Sequence, residues 1–239
     1  VIIFCKLLTK FELQLKNKKK IMIKVAIALG ILVSAAVLMK KKDMSYRQSI
    51  LKSIYPMIMR STNASGKKKL LENKNGAMPA SAIYDVKATT IDGTPFNFSE
   101  LKGKKILIVN TASDCGYTGQ YEALEKLYQQ YKGQLVVIGF PANDFKGQEK
   151  SDNQDIAAFC KKNYGVSFPL MEKSVVIKKN NQNLVHKWLS DPSLNGWCNQ
   201  EPAWNFCKYL INEQGVLVNY FPMTIDPLDP LVIAAIEKK

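Results

Sequence analysis

Histidine occurs once in the 239 residues, at position 186, and that scarcity excludes more chemistry than any other count. His-rich zinc sites and Ser-His or Cys-His nucleophile pairs each need an imidazole beside the reacting group. His186 lies in LVHKWLSD, a short helical pattern with apolar neighbours, and reads as a structural or surface residue. Any catalysis is therefore arranged without histidine. Cysteine is sparse too: Cys5, Cys115, Cys160, Cys198 and Cys207 are widely and irregularly spaced, and no CxxC occurs. A zinc ribbon, a dithiol redox motif and a disulfide-stapled secreted scaffold are all excluded on that pattern. Acidic residues are nearly missing from the first third. Residues 1–79 hold 3 against 17 basic ones, whereas residues 80–239 hold 17 of each, so the whole net charge of +14 belongs to the N-terminal part. The rest is electroneutral and long enough for one domain, which argues against a nucleic-acid partner.

The chain opens on Val1, with Met22 and Met44 as candidate starts, so residues 1–20 read as an extension ahead of the first of them. Residues 21–42 carry IMIKVAIALGILVSAAVLM closed by three lysines. About 20 apolar residues span a bilayer, and the run from Val25 to Met39 has no polar face, so a membrane-anchor helix is expected. The alternative is a signal peptide with Lys24 in its basic region and Ser34, Ala35 and Ala36 near a cleavage site. With Met22 as start, the lysines after the run place the following domain on the cytoplasmic side. With Met44 as start, the protein is soluble and cytoplasmic. Residues 43–80 read as an amphipathic segment, YRQSILKSIYPMIMR, and then a basic, polar linker. The amphipathic part suits either an anionic lipid surface or packing on the domain.

From residue 81 onward, strand and helix signals alternate. A hairpin turns at Asp92-Gly93; KKILIVNTA and LVVIGFP are apolar runs typical of buried strands. A helix covers Leu124 to Tyr131, SDNQDIAAFCKKNY is a helix with an acidic cap, and KSVVI reads as a strand. LVHKWLSD is a short helix, FCKYLIN and GVLVNYF a strand pair, and LDPLVIAAIEKK a C-terminal helix. This order predicts an α/β fold, a mixed sheet with helices on both faces.

The junction NTASDCGYT places Cys115 between the end of a buried strand and the start of a helix. Free N–H groups and the helix dipole there favour an anion, and a thiolate is one. Taken alone, Cys115 is equally readable as a buried structural cysteine. The stretches NTASDCGYTGQYEALEKLYQQY, GFPANDFKGQE, IAAFCKKNYGVSFP and WNFCKYLINEQG resemble, in order and spacing, the glutathione peroxidase family across residues 81–239. The resemblance implies a thioredoxin-like three-layer α/β/α fold with a mixed sheet, here preceded by the N-terminal transmembrane or signal-anchor helix. Thr118 stands where thioredoxins carry the second cysteine of CxxC.

The same resemblance implies Cys115 as the peroxidatic residue and Gln148, Trp204 and Asn205 as the polar groups around it, amide and indole donors that add no net charge. It implies Cys160 as a resolving cysteine, reached by local unwinding of its helix. No bound cofactor and no metal are implied. The substrate is a hydroperoxide and the co-substrate a thiol reductant, thioredoxin or, alternatively, glutathione. A peroxide sensor relaying a disulfide and a thioredoxin-like disulfide reductase are the competing readings. Ala142 and Asp144 depart from the family pattern, and Cys207 alternates into a strand core. Cys198, in a loop before Trp204, is open to an accessory thiol role.

Overall fold

Two apolar runs form the centre of the sheet. Strand β4 (Lys105–Thr111) is buried along its whole length and pairs in parallel with β5 (Leu135–Pro141), Ile108 opposite Ile138. The structure is a computed structural model and describes Gly30 and residues 44–238, apart from the side chains of residues 63–65. On the other side of β4 lies antiparallel β6 (Lys208–Ile211), then antiparallel β7 (Leu217–Phe221). At the edge is a two-residue strand, β1 (Leu71–Glu72), giving the order β1-β7-β6-β4-β5. The expected hairpin is β2 (Lys87–Thr89) and β3 (Pro95–Asn97), turning at Gly93 with φ +87°, a value glycine adopts freely.

Period-two alternation sorts the strand side chains into two cores. Leu107, Val109, Val137 and Leu210 face helices α2 (Gln120–Gln130) and α3 (Asn153–Tyr164) and the C-terminal helix α6 (Pro230–Glu237). Ile106, Ile108, Ile138, Phe140, Tyr209 and Ile211 face the hairpin and α4 (Leu184–Ser190), which a short α5 (Pro192–Asn195) follows. The result is the expected three-layer thioredoxin-like arrangement. Helix α3 starts where Asp152 accepts the Asp155 N–H and stops at Gly165, φ +67°, whose N–H and that of Val166 return to the carbonyls of Lys161 and Cys160.

Three expectations change. Residues 61–80 are not a linker. Helix α1 (Tyr46–Lys67), opened by a reciprocal Ser45–Gln48 cap, runs through the first part, and β1 then joins the sheet. The amphipathic segment packs on the domain, so the folded unit reaches back to Met44, which is buried with the α2 core. KSVVI forms no strand; Val175 makes an isolated bridge to Gln182, because the Val176 N–H is taken by Asp144 Oδ2. Among the described residues no helix is long and apolar enough to cross a membrane. The anchor expected over residues 21–42 lies outside the described residues except at Gly30, which is helical.

Candidate active site

Cys115 sits in the turn that leads from the end of β4 to α2. Its N–H donates to Thr118 Oγ1 at 3.0 Å, and Thr118 in turn reaches the carbonyls of Ala112 and Cys115. The threonine that replaces a second cysteine thus pins the backbone of the loop. The Cys115 sulfur accepts the Tyr117 N–H at 3.5 Å. The neighbouring Trp204 and Asn205 side chains favour the charged form of the same sulfur and pull its pKa down. Burial opposes them and wins, so the thiol lies above its ordinary value. This corrects the expectation of a thiolate favoured by a helix terminus. Helix α2 begins only at Gln120, beyond the reach of a dipole that acts within the first turn, and Cys115 is just 1 % exposed.

Asn205 joins the second expected amide to the site: its Nδ2 donates to Gln148 Oε1 at 2.9 Å. The Gln148 carbonyl accepts the Asp114 N–H at 3.1 Å, so the loop after β5 is tied to the loop that carries Cys115. Asn205 is fully buried, and its Oδ1 has no hydrogen-bond partner among the described residues. Trp204 packs against Phe145, centroids 5.5 Å apart, with the Lys146 ammonium 5.7 Å from its ring. Cys115, Gln148, Trp204 and Asn205 therefore converge. Cys160 is in the same core but mid-helix and fully buried, and burial pushes its thiol up to about 12. Cys198 and Cys207 lie in the core on the opposite face of the sheet, where the Tyr220 hydroxyl donates to Cys207 Sγ at 3.2 Å. Cys198, open to an accessory role on its sequence position, is thus placed across the sheet from Cys115.

His186 is buried against Phe140 and Tyr209, and burial lowers its pKa to about 3, which makes it a neutral structural residue. Ala142 fills core space, and Asp144 braces Val176 rather than the site.

Three supporting residues escape a reading of spacing alone. Asn110, a polar residue at the end of an apolar strand, accepts the Cys207 N–H through its side chain and donates to the Trp204 carbonyl at 3.0 Å. Between those two, Phe206 takes φ +68°, a conformation that costs a bulky residue about 1–3 kcal/mol and persists only when its surroundings impose it. Glu149 is fully buried; its carboxylate accepts the Ser113 N–H at 2.8 Å and the Ser113 hydroxyl at 2.5 Å. Burial raises its pKa to about 7 against the pull of those hydrogen bonds. Lys208 is also fully buried, with Nζ donating to Gln120 Oε1 and the carbonyls of Phe206 and Ile225. Burial brings it down to about 7. Strand alternation, which sets Lys208 on the Leu210 face, is the signal that identifies it.

A thioredoxin-like sheet that presents one cysteine, without a second at CxxC, to amide and indole donors defines a thiol-based oxidoreductase of the peroxidase class. The comparisons identify the family. The sequence model of the family "Glutathione peroxidase" matches residues 83–190. A glutathione peroxidase-like peroxiredoxin of Chlamydomonas reinhardtii is 46% identical over 146 residues, covering 61% of this chain and 89% of that protein. One of Schizosaccharomyces pombe is 42% identical over 148 residues, 62% and 92% of the two chains. Among solved structures, that of Trgpx in its apo form aligns with a TM-score of 0.50 at 34% identity, covering 66% of this chain and 97% of that one. The chain belongs to the glutathione peroxidase family, and it is a peroxidase.

Proposed function

We propose that Cys115 is the peroxidatic nucleophile, that Gln148, Trp204 and Asn205 activate it and hold the peroxide, and that Cys160 resolves the oxidised form. The observation that carries this reading is that Asn205 is tied to Gln148 and Gln148 to the loop of Cys115, with Trp204 and Asn205 both favouring charge on the Cys115 sulfur. In the first step the Cys115 thiolate attacks one peroxide oxygen. An S–O bond forms, the O–O bond breaks, and the departing oxygen takes a proton and leaves as water or an alcohol. The sulfur is oxidised by two electrons to sulfenic acid. The two donors stabilise negative charge on the sulfur and on the departing oxygen, and the unpartnered Asn205 Oδ1 offers an acceptor to the peroxide hydroxyl.

The Cys160 thiol then displaces water from the sulfenic acid, giving a Cys115–Cys160 disulfide. Cys160 is buried within a helix whose end is closed through its own carbonyl, so α3 unwinds in its last turns for the two sulfurs to meet. A dithiol protein of the thioredoxin type returns both cysteines to thiols; glutathione is the alternative reductant. A simple disulfide reductase is disfavoured because Thr118 fills the second position and braces the loop. The apolar run of residues 21–42 is proposed as a membrane anchor on sequence grounds, and fractionation of the native protein tests it.

The kinetic test is peroxide consumption with thioredoxin, thioredoxin reductase and NADPH, beside glutathione and its reductase. Cys115→Ser abolishes turnover with both. Cys160→Ser keeps the first oxidation of Cys115 and loses thioredoxin-supported turnover. Full thioredoxin-supported activity in Cys160→Ser would remove its resolving role.

A further inference from the structure

Helix α1 precedes the region matched by the family model, yet it lies across the loop that carries Cys115. At its first turn Arg47 pairs with Asp114 at 2.7 Å, and Gln48 donates to the Ser113 carbonyl at 3.2 Å. Further along, Ile58 covers Gly116, where an added Cβ would stand 3.3 Å from its Cδ1. The Tyr55 ring lies against Gly119, and its hydroxyl donates to Asp226 at 2.7 Å. Lys52 reaches the Asn163 carbonyl and stands over the Tyr164 ring at 4.5 Å, so the same helix holds the last turn of α3, which carries Cys160. Pro56, beside Tyr55, supplies no N–H to the helical ladder, and bending there meets less resistance.

We propose that α1 is the specificity-determining cap of the peroxidatic site, with Tyr55 its principal residue. Seated, it admits hydrogen peroxide and other small hydroperoxides to Cys115 and shuts out hydroperoxides with long acyl chains. The proposal rests on the reading of Cys115 as the peroxidatic residue. Its physical basis is steric. A packed protein surface has few gaps larger than a water molecule, and side-chain fluctuations open gaps for a molecule of hydrogen peroxide's size. An acyl hydroperoxide needs the surface over residues 116–119 vacated, and that surface is occupied by Ile58 and Tyr55.

Gly119→Ala in the full chain separates cap from chemistry. Gly119 has φ −58°, an ordinary value for alanine, but the new Cβ would stand 2.5 to 3.0 Å from three atoms of the Tyr55 ring, which must leave. The measurement is the second-order rate constant for Cys115 oxidation, by stopped flow, with hydrogen peroxide and with linoleic acid hydroperoxide. Gly119→Ala and Tyr55→Ala are each expected to raise the rate for the acyl hydroperoxide relative to that for hydrogen peroxide by at least about tenfold. Arg47→Glu, at an exposed position facing Asp114, guards against misfolding and is expected to shift the ratio the same way by a smaller factor. An unchanged ratio in all three variants overturns the cap. Alkylation of Cys115, located by mass spectrometry, gives a readout free of peroxide chemistry: a bulky polyethylene-glycol maleimide should gain on iodoacetamide in the same variants. If no peroxide oxidises Cys115 in any variant, the peroxidatic reading fails, and alkylation still decides the cap.

Discussion

Glu149→Gln tests the account of the buried carboxylate beneath the Cys115 loop. Glu149 receives both the N–H and the hydroxyl of Ser113, two residues before Cys115, and its N–H donates to Asn143 Oδ1 at 2.9 Å. Burial raises its pKa from 4.5 to about 7; nearby Asp114 adds to the rise, while Ser113 and Lys173 oppose it. In the unfolded chain the proton leaves near pH 4.5, and in the folded chain near 7. The folded state therefore binds more protons across that window, and this group makes stability fall as pH rises through it. A shift of that size corresponds to about 3 kcal/mol. His186 has the opposite sign: its pKa falls to about 3, so stability rises with pH up to its ordinary value of 6.5. The two contributions largely cancel in the native chain between pH 4.5 and 6.5. Glutamine has the shape of the protonated acid and does not titrate, so the difference between variant and native chain isolates Glu149. It should be small at pH 4.5 and grow by about 3 kcal/mol in the variant's favour by pH 7.5. Denaturant unfolding under reducing conditions, followed by tryptophan fluorescence with buried Trp188 as reporter, measures it. A stability difference independent of pH from 4.5 to 7.5 would refute the reasoning.

Asn205→Ala removes a side chain that favours charge on the Cys115 sulfur and leaves Gln148 Oε1 without its partner. The rate constant for Cys115 oxidation at pH 7 should fall by about 100-fold, the usual loss for one donor to developing charge, and the thiol pKa should rise. Stopped-flow oxidation across pH measures both, and a change under threefold would exclude Asn205 from the chemistry. Lys208→Met removes a buried amine whose pKa falls from 10.5 to about 7. The unfolded chain binds the extra proton between those values, so native stability rises with pH across them. The gap between native chain and variant should therefore shift toward the native chain from pH 7 to 10, read by denaturant unfolding.

The elements were legible where the pattern was local. Apolar runs marked β4 and β5, Asp152 and Gly165 bounded α3, and Asp92-Gly93 turned the hairpin. KSVVI was misread because a carboxylate 32 residues away takes its N–H, a long-range partner that no periodicity records. Four spaced motifs pointed to Cys115, Gln148, Trp204 and Asn205, since residue type and order survive in the chain whatever the fold does. The scarcity of histidine had already argued against an imidazole partner for the thiol, and the family resemblance supplied the amide and indole groups.

The sequence by itself determined the family and, through the four motifs, the residues proposed as nucleophile and donors. Tertiary structure alone decided how those groups are poised. The ionisation of Cys115 depends on burial, which is the sum of everything packed around it, and α1 cannot be assigned to the domain or to a lipid surface from its own amphipathic pattern. Asn110, Glu149 and Lys208 likewise acquire their roles from partners brought in by folding: Trp204 to Asn110, Ser113 to Glu149, and Gln120 to Lys208. A polar residue in an apolar context can be recognised in one dimension; the atom that satisfies it can be named only in three.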